Sequence, residues 1–439
     1  MNRTTHTEGA ELRPFAERVT ERRVGPCRLL ALPTPAQSVV TWRGSFMSFP
    51  EFDSDEDLLQ HMVVSLLDKG TRRLDRFAVA ELLENRGAQV DFSSDGLYVD
   101  LSGRALKEDV PDVLGLVAEQ LRDPLFDEEE FEKARARIAA SIQRSMENTG
   151  SQASGSLTRH LYTRTHPNYT PEPAERLERL ESIELPDVRA YHERHFGSNA
   201  FTLAVVGDID EDEIVEAVAS HFAGWSEHEA PAHYTSKADR SRAGRSVVPI
   251  PDRQNVDVRM GHPVAFRRTD PDYIPAYLAT YVLGGNFSAR LMQTIRDEMG
   301  LTYGIGAGLY GVSAEYSGHW QVAVTLSGEN VDRGIEETMR QVRLFVDEGV
   351  TNEELSDKKT TVVGSFQVGL ATTSGLASSL LKNAERGFDV GYLDRFPDEV
   401  EAVTREFANA VIARHLEPDD LHIAMAGTVE APMDAAASP

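Results

Sequence analysis

Apolar residues recur along this chain in two rhythms. In YVDLSG (Tyr98–Gly103) and WQVAVTLSG (Trp320–Gly328) apolar and polar residues alternate, the period of a strand with one face on a core. In DSDEDLLQHMVVSLL, DRFAVAELLENRGA, DVPDVLGLVAEQLRDP and FDEEEFEKARARIAASIQRS the apolar positions instead fall on one face of a helix. The order then repeats. VTWRGSFMSFP opens the first set and VDVRMGHPVAF the second, and each set closes on a similar strand, FTLAVVGDID at Phe201 and LHIAMAGTVE at Leu421. Between them SEHEAPAHYTSKADRSRAGR is rich in Pro and charge and has no apolar period, which reads as a linker over 226–245. The pattern predicts an α+β chain duplicated from one unit, with domains over 16–225 and 246–432. Each is expected to be a mostly antiparallel β-sheet covered by α-helices on one face.

Composition narrows the function classes. The 439 residues carry a formal charge of −26, which argues against nucleic acid or an anionic membrane surface as partner, since both need a basic surface. The acidity reads as solubility, with a preference for basic peptides as the alternative. Cys27 is the sole cysteine, so neither an internal disulfide nor a thiolate metal cluster is available; on the strand-like PCRLLALP it reads as core packing. The N-terminal segment has no apolar run and no stretch is apolar enough to span a bilayer. The expected compartment is cytoplasmic, or periplasmic had a signal peptide been trimmed.

Three motifs invite chemistry. GIGAG (Gly304–Gly308) lacks the strand–loop–helix setting of a phosphate cradle and reads as a place where backbones approach closely. In YHERHFGSN, His192 and His195 have a ligand-like spacing around Glu193, but His195-Phe196-Gly197 reads as a helix C-terminus with a histidine at the negative end of the dipole. In LLQHMVVSLLDKGT, His61 lies on an amphipathic helix ahead of a Gly-Thr stop, with Val64 and Ser65 at the two positions where a partner would be needed.

Together LLDKGT, LRDPLFDEEEFEKAR, LAVVGDID and SARLMQTIRDEMGLTYG resemble the pitrilysin/insulinase-type zinc metallopeptidases over about Arg18 to Val429, with the two-domain processing peptidases as the size match. The resemblance implies a processing-peptidase-like fold forming half of a clam-shell. The family carries an inverted zinc motif, H-x-x-E-H, before a turn like DKGT. In that register His61 takes the first histidine's place, Val64 that of the general base and Ser65 that of the second histidine. The third ligand, a glutamate on a later helix, falls at about Ser141, and its supporting acid at about Ala134. A catalytic zinc needs three protein ligands and a water, and valine accepts no proton from water. No zinc is therefore expected in this chain, and the histidine reads as an exposed or hydrogen-bonded helix residue.

The second half keeps its part of the pattern. In RLMQTIRDEMGLTYG, Arg296 and Tyr303 occupy the family's R/Y positions, which the resemblance assigns to substrate binding and to stabilising charge on the scissile carbonyl oxygen, as oxyanion-hole donors do. Read without the family, Arg296 would pair with Asp297 or Asp270 and Tyr303 would begin a strand with its hydroxyl satisfied. Arg290 matches another landmark and reads as structural. The resemblance therefore implies a catalytically incomplete subunit of a heterodimeric peptidase. Its partner would be a zinc-bearing paralogous subunit, and its substrate a peptide held by β-addition. The alternatives are a non-catalytic structural or peptide-binding member of the family, and an independent metallopeptidase with a rebuilt site.

Overall fold

The computed structural model describes residues 13–34, 38–226 and 243–429; of the expected linker, 227–242 lie outside the described residues. The first half builds β1 (Thr20–Val24), β2 (Cys27–Pro33), β3 (Val39–Met47), β4 (Gln89–Asp95), β5 (Tyr98–Leu106) and β6 (Thr202–Gly207). They form one sheet in the order β1-β2-β6-β3-β5-β4. The second half builds β7 (Gly244–Pro249), β8 (Asn255–Pro263), β9 (Thr302–Tyr310), β10 (His319–Ser327) and β11 (His422–Gly427), in the order β7-β11-β8-β10-β9. Without β1 the two orders are the same. In each sheet one pair is parallel, β2 with β6 and β7 with β11, and the others are antiparallel. The edge strands β4 and β9 are equivalents under this repeat.

One face of each sheet packs on helices of its own half. Leu29, Ala31, Leu203 and Val205 point into a core with the helices Glu56–Val64, Val110–Arg122 and Glu128–Glu147. In the second half Val258, Met260, Ile423 and Met425 do the same with helices that include Tyr273–Gly284 and Val331–Glu348. The central strands β6 and β11 are buried along their whole length, so their opposite faces need cover as well. That cover is exchanged between the halves. Leu30, Leu32, Ala204 and Val206 pack against Leu376, Ala377, Leu380 and Leu381 of the second-half helix Thr373–Glu385. Reciprocally, the first-half helix Thr149–Leu161 lays Ala153, Leu157 and Leu161 on β11 around Ala424 and Ala426.

Polar contacts hold the same junction. Thr41 and Thr373 share a hydroxyl–hydroxyl bond of 2.9 Å, and the Ser45 hydroxyl donates to Glu385 at 2.7 Å. Tyr98 donates to Glu315 at 2.9 Å, which ties the β4–β5 hairpin to the β9–β10 loop.

SARLMQTIRDEMG folds as a helix that contains a π-helical turn over Met292–Glu298. The widened turn keeps Leu291, Met292, Ile295 and Leu301 in the second core and leaves Arg296 part-exposed. Among the described residues no helix is long and apolar enough to cross a membrane.

Candidate functional site

The register of the His61 helix is set by the turn that follows it. Gly70 has φ of +126°, and a Cβ there would come within 2.9 Å of the Leu74 carbonyl oxygen, so only glycine fits. Thr71 then anchors the turn: its hydroxyl donates to Glu119 at 2.6 Å and accepts from the backbone N–H of Leu74 at 3.0 Å. Upstream, helix Glu56–Val64 presents His61 to solvent and Val64 to the core, where Val64 is 6% exposed. The Ser65 hydroxyl is spent on the helix end, donating to the Met62 carbonyl at 2.9 Å. On helix Glu128–Glu147, Ala134 is in the core and Ser141 is exposed. These positions do not fit a zinc ion. One imidazole faces them without a second nitrogen or a carboxylate ligand, and among the described residues no group of three or more His, Cys, Asp or Glu could hold a metal.

What stands beside His61 is a half-enclosed recess of about 210 Å³. Asp57, Gln60 and His61 come from the helix, Ser94 and Gly96 from the end of β4 and its turn, and Arg176 from helix Pro173–Ser182. Pro167, Tyr169 and Pro171 close another side, and Asn168 in that segment donates to the Gly311 carbonyl at 2.9 Å, so the wall is clasped to the second half. Arg176 holds Asp57 at 2.7 Å. Partial desolvation, and then the nearby charges of Arg176 and Arg137, hold the His61 imidazole below its ordinary pKa.

The pair His192 and His195 does another job. His192 is buried and its Nε2–H donates to the Leu121 carbonyl at 2.8 Å; burial lowers its pKa. His195 ends helix Leu185–His195, stacks on Tyr191 at 4.5 Å and accepts from Arg194 at 2.9 Å.

In the second half, Tyr303 is 95% exposed on the edge strand β9. The β9–β10 register shifts here: Gly304 lies opposite Thr325 and Thr302 opposite Leu326, so Tyr303 is the extra residue of a β-bulge. Thr302 pins the bulge, its hydroxyl bonding the Thr325 carbonyl at 2.5 Å and accepting from the Gly304 N–H at 3.1 Å. Beside β9, the guanidinium of Arg296 lies 5.5 Å from the ring centre of Phe287, itself 76% exposed. Its ion pair with Asp297 is loose, at 3.9 Å, and solvent-exposed pairs of this kind contribute little. Arg290 is tied down instead, donating twice to Glu354 at 2.6 Å and once to the Gly349 carbonyl at 2.8 Å. Of the GIGAG glycines, Gly306 sits where backbones approach: a Cβ there would lie 3.2 Å from the carbonyl oxygen of Gly284, at the end of helix Tyr273–Gly284, whereas one on Gly304 would meet open space. Sequence reading did not find Phe287, Thr302, Arg137 or Arg176, none of which stands in a motif of its own.

The fold and this site define a two-domain, peptidase-like chain with no ligand set for a metal among the described residues. Residues 56–171 match the Insulinase (Peptidase family M16) model, and 182–362 match that of the Peptidase M16 inactive domain. The chain belongs to the M16 peptidase family. It is 24% identical over 380 residues to the "Non-peptidase homolog YmxG" of Helicobacter pylori, covering 85% of each chain. Its fold is that of the M16 inactive domain from Pseudomonas fluorescens, at a TM-score of 0.86 and 22% identity, covering 94% of this chain and 98% of that one. It also overlays on the periplasmic protease PqqL from Escherichia coli with a TM-score of 0.76 and 13% identity, covering 93% of this chain but 45% of that one.

Proposed function

We propose that this chain is the non-zinc subunit of a heterodimeric M16 peptidase. It contributes Arg296 and Tyr303 to a peptide held against a zinc-bearing paralogous subunit, which carries out the hydrolysis. The observation that carries the reading is Tyr303: a tyrosine 95% exposed on a pinned bulge, next to an arginine with only a loose partner. A tyrosine selected for packing would be buried, and a bulge is a device for aiming a side chain. From that position a phenol and a guanidinium supply two donors to a substrate carbonyl that gains negative charge. The match to less than half of the PqqL chain suits a half-length subunit, and the edges of β4 and β9 offer backbone groups to an extended peptide.

The test is a peptide-cleavage assay on the chain mixed with a zinc-bearing paralogue from the same genome. Neither Arg296→Ala nor Tyr303→Phe should change assembly, and each should cut turnover by about 10²-fold, the scale of a lost oxyanion donor. Unchanged turnover in both variants overturns the assigned roles. A second reading, a catalytically silent peptide-binding or structural protein, is favoured by the name of the H. pylori relative; it predicts no cleavage with any paralogue.

A further inference from the structure

We propose that the cleft where helix Thr373–Glu385 begins, over strands β3, β5 and β4, binds a small molecule through a carboxylate or phosphate group. The inference is independent of the peptidase reading above and starts from the internal repeat. The two strand orders make β3, β5 and β6 the counterparts of β8, β10 and β11. Arg43 lies opposite Ala204, the third residue of β6, and Arg259 lies opposite Ala424, the third residue of β11. The two arginines are therefore equivalent. Two residues earlier, Thr41 is the equivalent of Asp257, opposite Val206 and Ala426. On the next strand, Thr41 faces Arg104 and Asp257 faces Thr325.

In the second half this position holds a carboxylate. Asp257 accepts from the hydroxyls of Thr149 at 2.7 Å and Thr325 at 2.8 Å, and from the Arg259 guanidinium at 3.2 Å. Thr149 opens helix Thr149–Leu161, so the carboxylate sits between an arginine and a helix N-terminus. In the first half the residue that opens the covering helix is Thr373. The arginine is kept as Arg43, but the carboxylate is replaced by the Thr41 hydroxyl, bonded to Thr373 at 2.9 Å. Arg104 adds a second guanidinium where the repeat has Thr325. Among the described residues neither Arg43 nor Arg104 has an ion pair. Arg43 donates to the Ser374 hydroxyl at 3.3 Å, and its Nε–H is buried without a hydrogen-bond partner. Where the carboxylate is missing there is a cleft of about 430 Å³, lined by Thr41, Arg43, Arg104 and the helix start Thr372–Ser374. The acid in its lining is Asp91 of β4, and Ser102 stands between it and Arg43. Nearby Asp100 is held by Lys382 at 3.5 Å. Two guanidinium groups thus outweigh one carboxylate, in a chain whose overall charge is −26. The first-turn N–H groups of a 13-residue helix add to the same sign. A free oxyanion in this cleft supplies the counter-charge that Asp257 supplies in the second half. The volume leaves room for the rest of a small molecule. Such a ligand touches Arg43 and Arg104 of the first half and the helix of the second, so it fastens the halves together.

The experiment titrates inorganic phosphate and citrate, separately and at fixed ionic strength, into the full chain by calorimetry. At least one should bind with one-to-one stoichiometry, and which of them binds tells a phosphate site from a carboxylate site. Arg104→Ala, at an exposed position, should weaken that binding about tenfold, the scale of one charge-assisted hydrogen bond. Thr41→Asp restores the carboxylate of the second half in place; it should abolish binding and raise the urea midpoint of the free chain. No saturable binding of either probe by the parent chain overturns the inference. Binding that both variants leave unchanged overturns the location. A lower midpoint for Thr41→Asp, or its failure to fold, overturns the equivalence with Asp257, and Arg104→Ala then still decides the location.

Discussion

At the scale of single residues, the position of Val64 is held by packing. Val64 lies in the first core with Leu58, Met62 and Ala134, and a glutamate there buries a carboxyl without a partner. Val64→Glu should therefore cost roughly 3 kcal/mol or more, whether the group protonates or draws in water. His61→Ala, on the exposed face of the same helix, should stay within about 0.5 kcal/mol. Urea unfolding of the two variants checks the contrast; a neutral Val64→Glu would mean that the helix can turn this face outward. The expectation that Val64 and Ser65 stand at motif positions came from the sequence, because DKGT fixes the register of the helix before it. The recess beside His61 did not. Arg176, which lines it, lies about 120 positions further along the chain, and nothing in local periodicity relates it to His61.

At the scale of elements, the exchanged helices decide how the halves depend on each other. Helix Thr373–Glu385 belongs by sequence to the second half, yet Leu380 packs on Leu30, Leu32 and Val206 of the first sheet. Leu380→Ala should cost about 2–5 kcal/mol and should raise hydrogen exchange across β6, a strand of the other half. Leu157→Ala on helix Thr149–Leu161 should do the same for β11. Loss of protection confined to each variant's own half would contradict the exchange. The alternation of β5, buried at every second residue, was readable because one of its faces is polar. The exchange was not readable: an amphipathic helix records that one of its faces is covered, but not by which strand.

At the scale of the whole molecule, the seam between halves is lined with histidines from both. His166 comes from the first half and His319 and His422 from the second; Tyr162 bonds His319 at 2.7 Å, and His160 stacks on His422 at 3.5 Å. Burial holds the pKa of His166, His319 and His422 down to about 4, from an ordinary value of 6.5. Between these values the unfolded chain binds protons that the folded chain refuses, so stability falls as pH drops from about 6.5 to about 4 and these groups cause no further loss below that. Glu354 acts in a lower window. Its bond with Arg290 holds its pKa at about 2, so its contribution is present above about 4.5 and is lost as pH falls towards 2. Urea midpoints measured from pH 7 to pH 4 should fall steadily, and a flat profile over that range would contradict the burial of the histidines.

The sequence alone determined the duplicated α+β architecture and the family, since both are written in short-range periods and in motifs around fixed turns. The tertiary structure decided which sheet each exchanged helix covers, the bulge that turns Tyr303 outward, and the gathering of His61 and Arg176 around one recess. These depend on contacts between distant parts of the chain, and such contacts leave no period in the sequence because each side chain records only that it is covered, or charged, and not by what it is met.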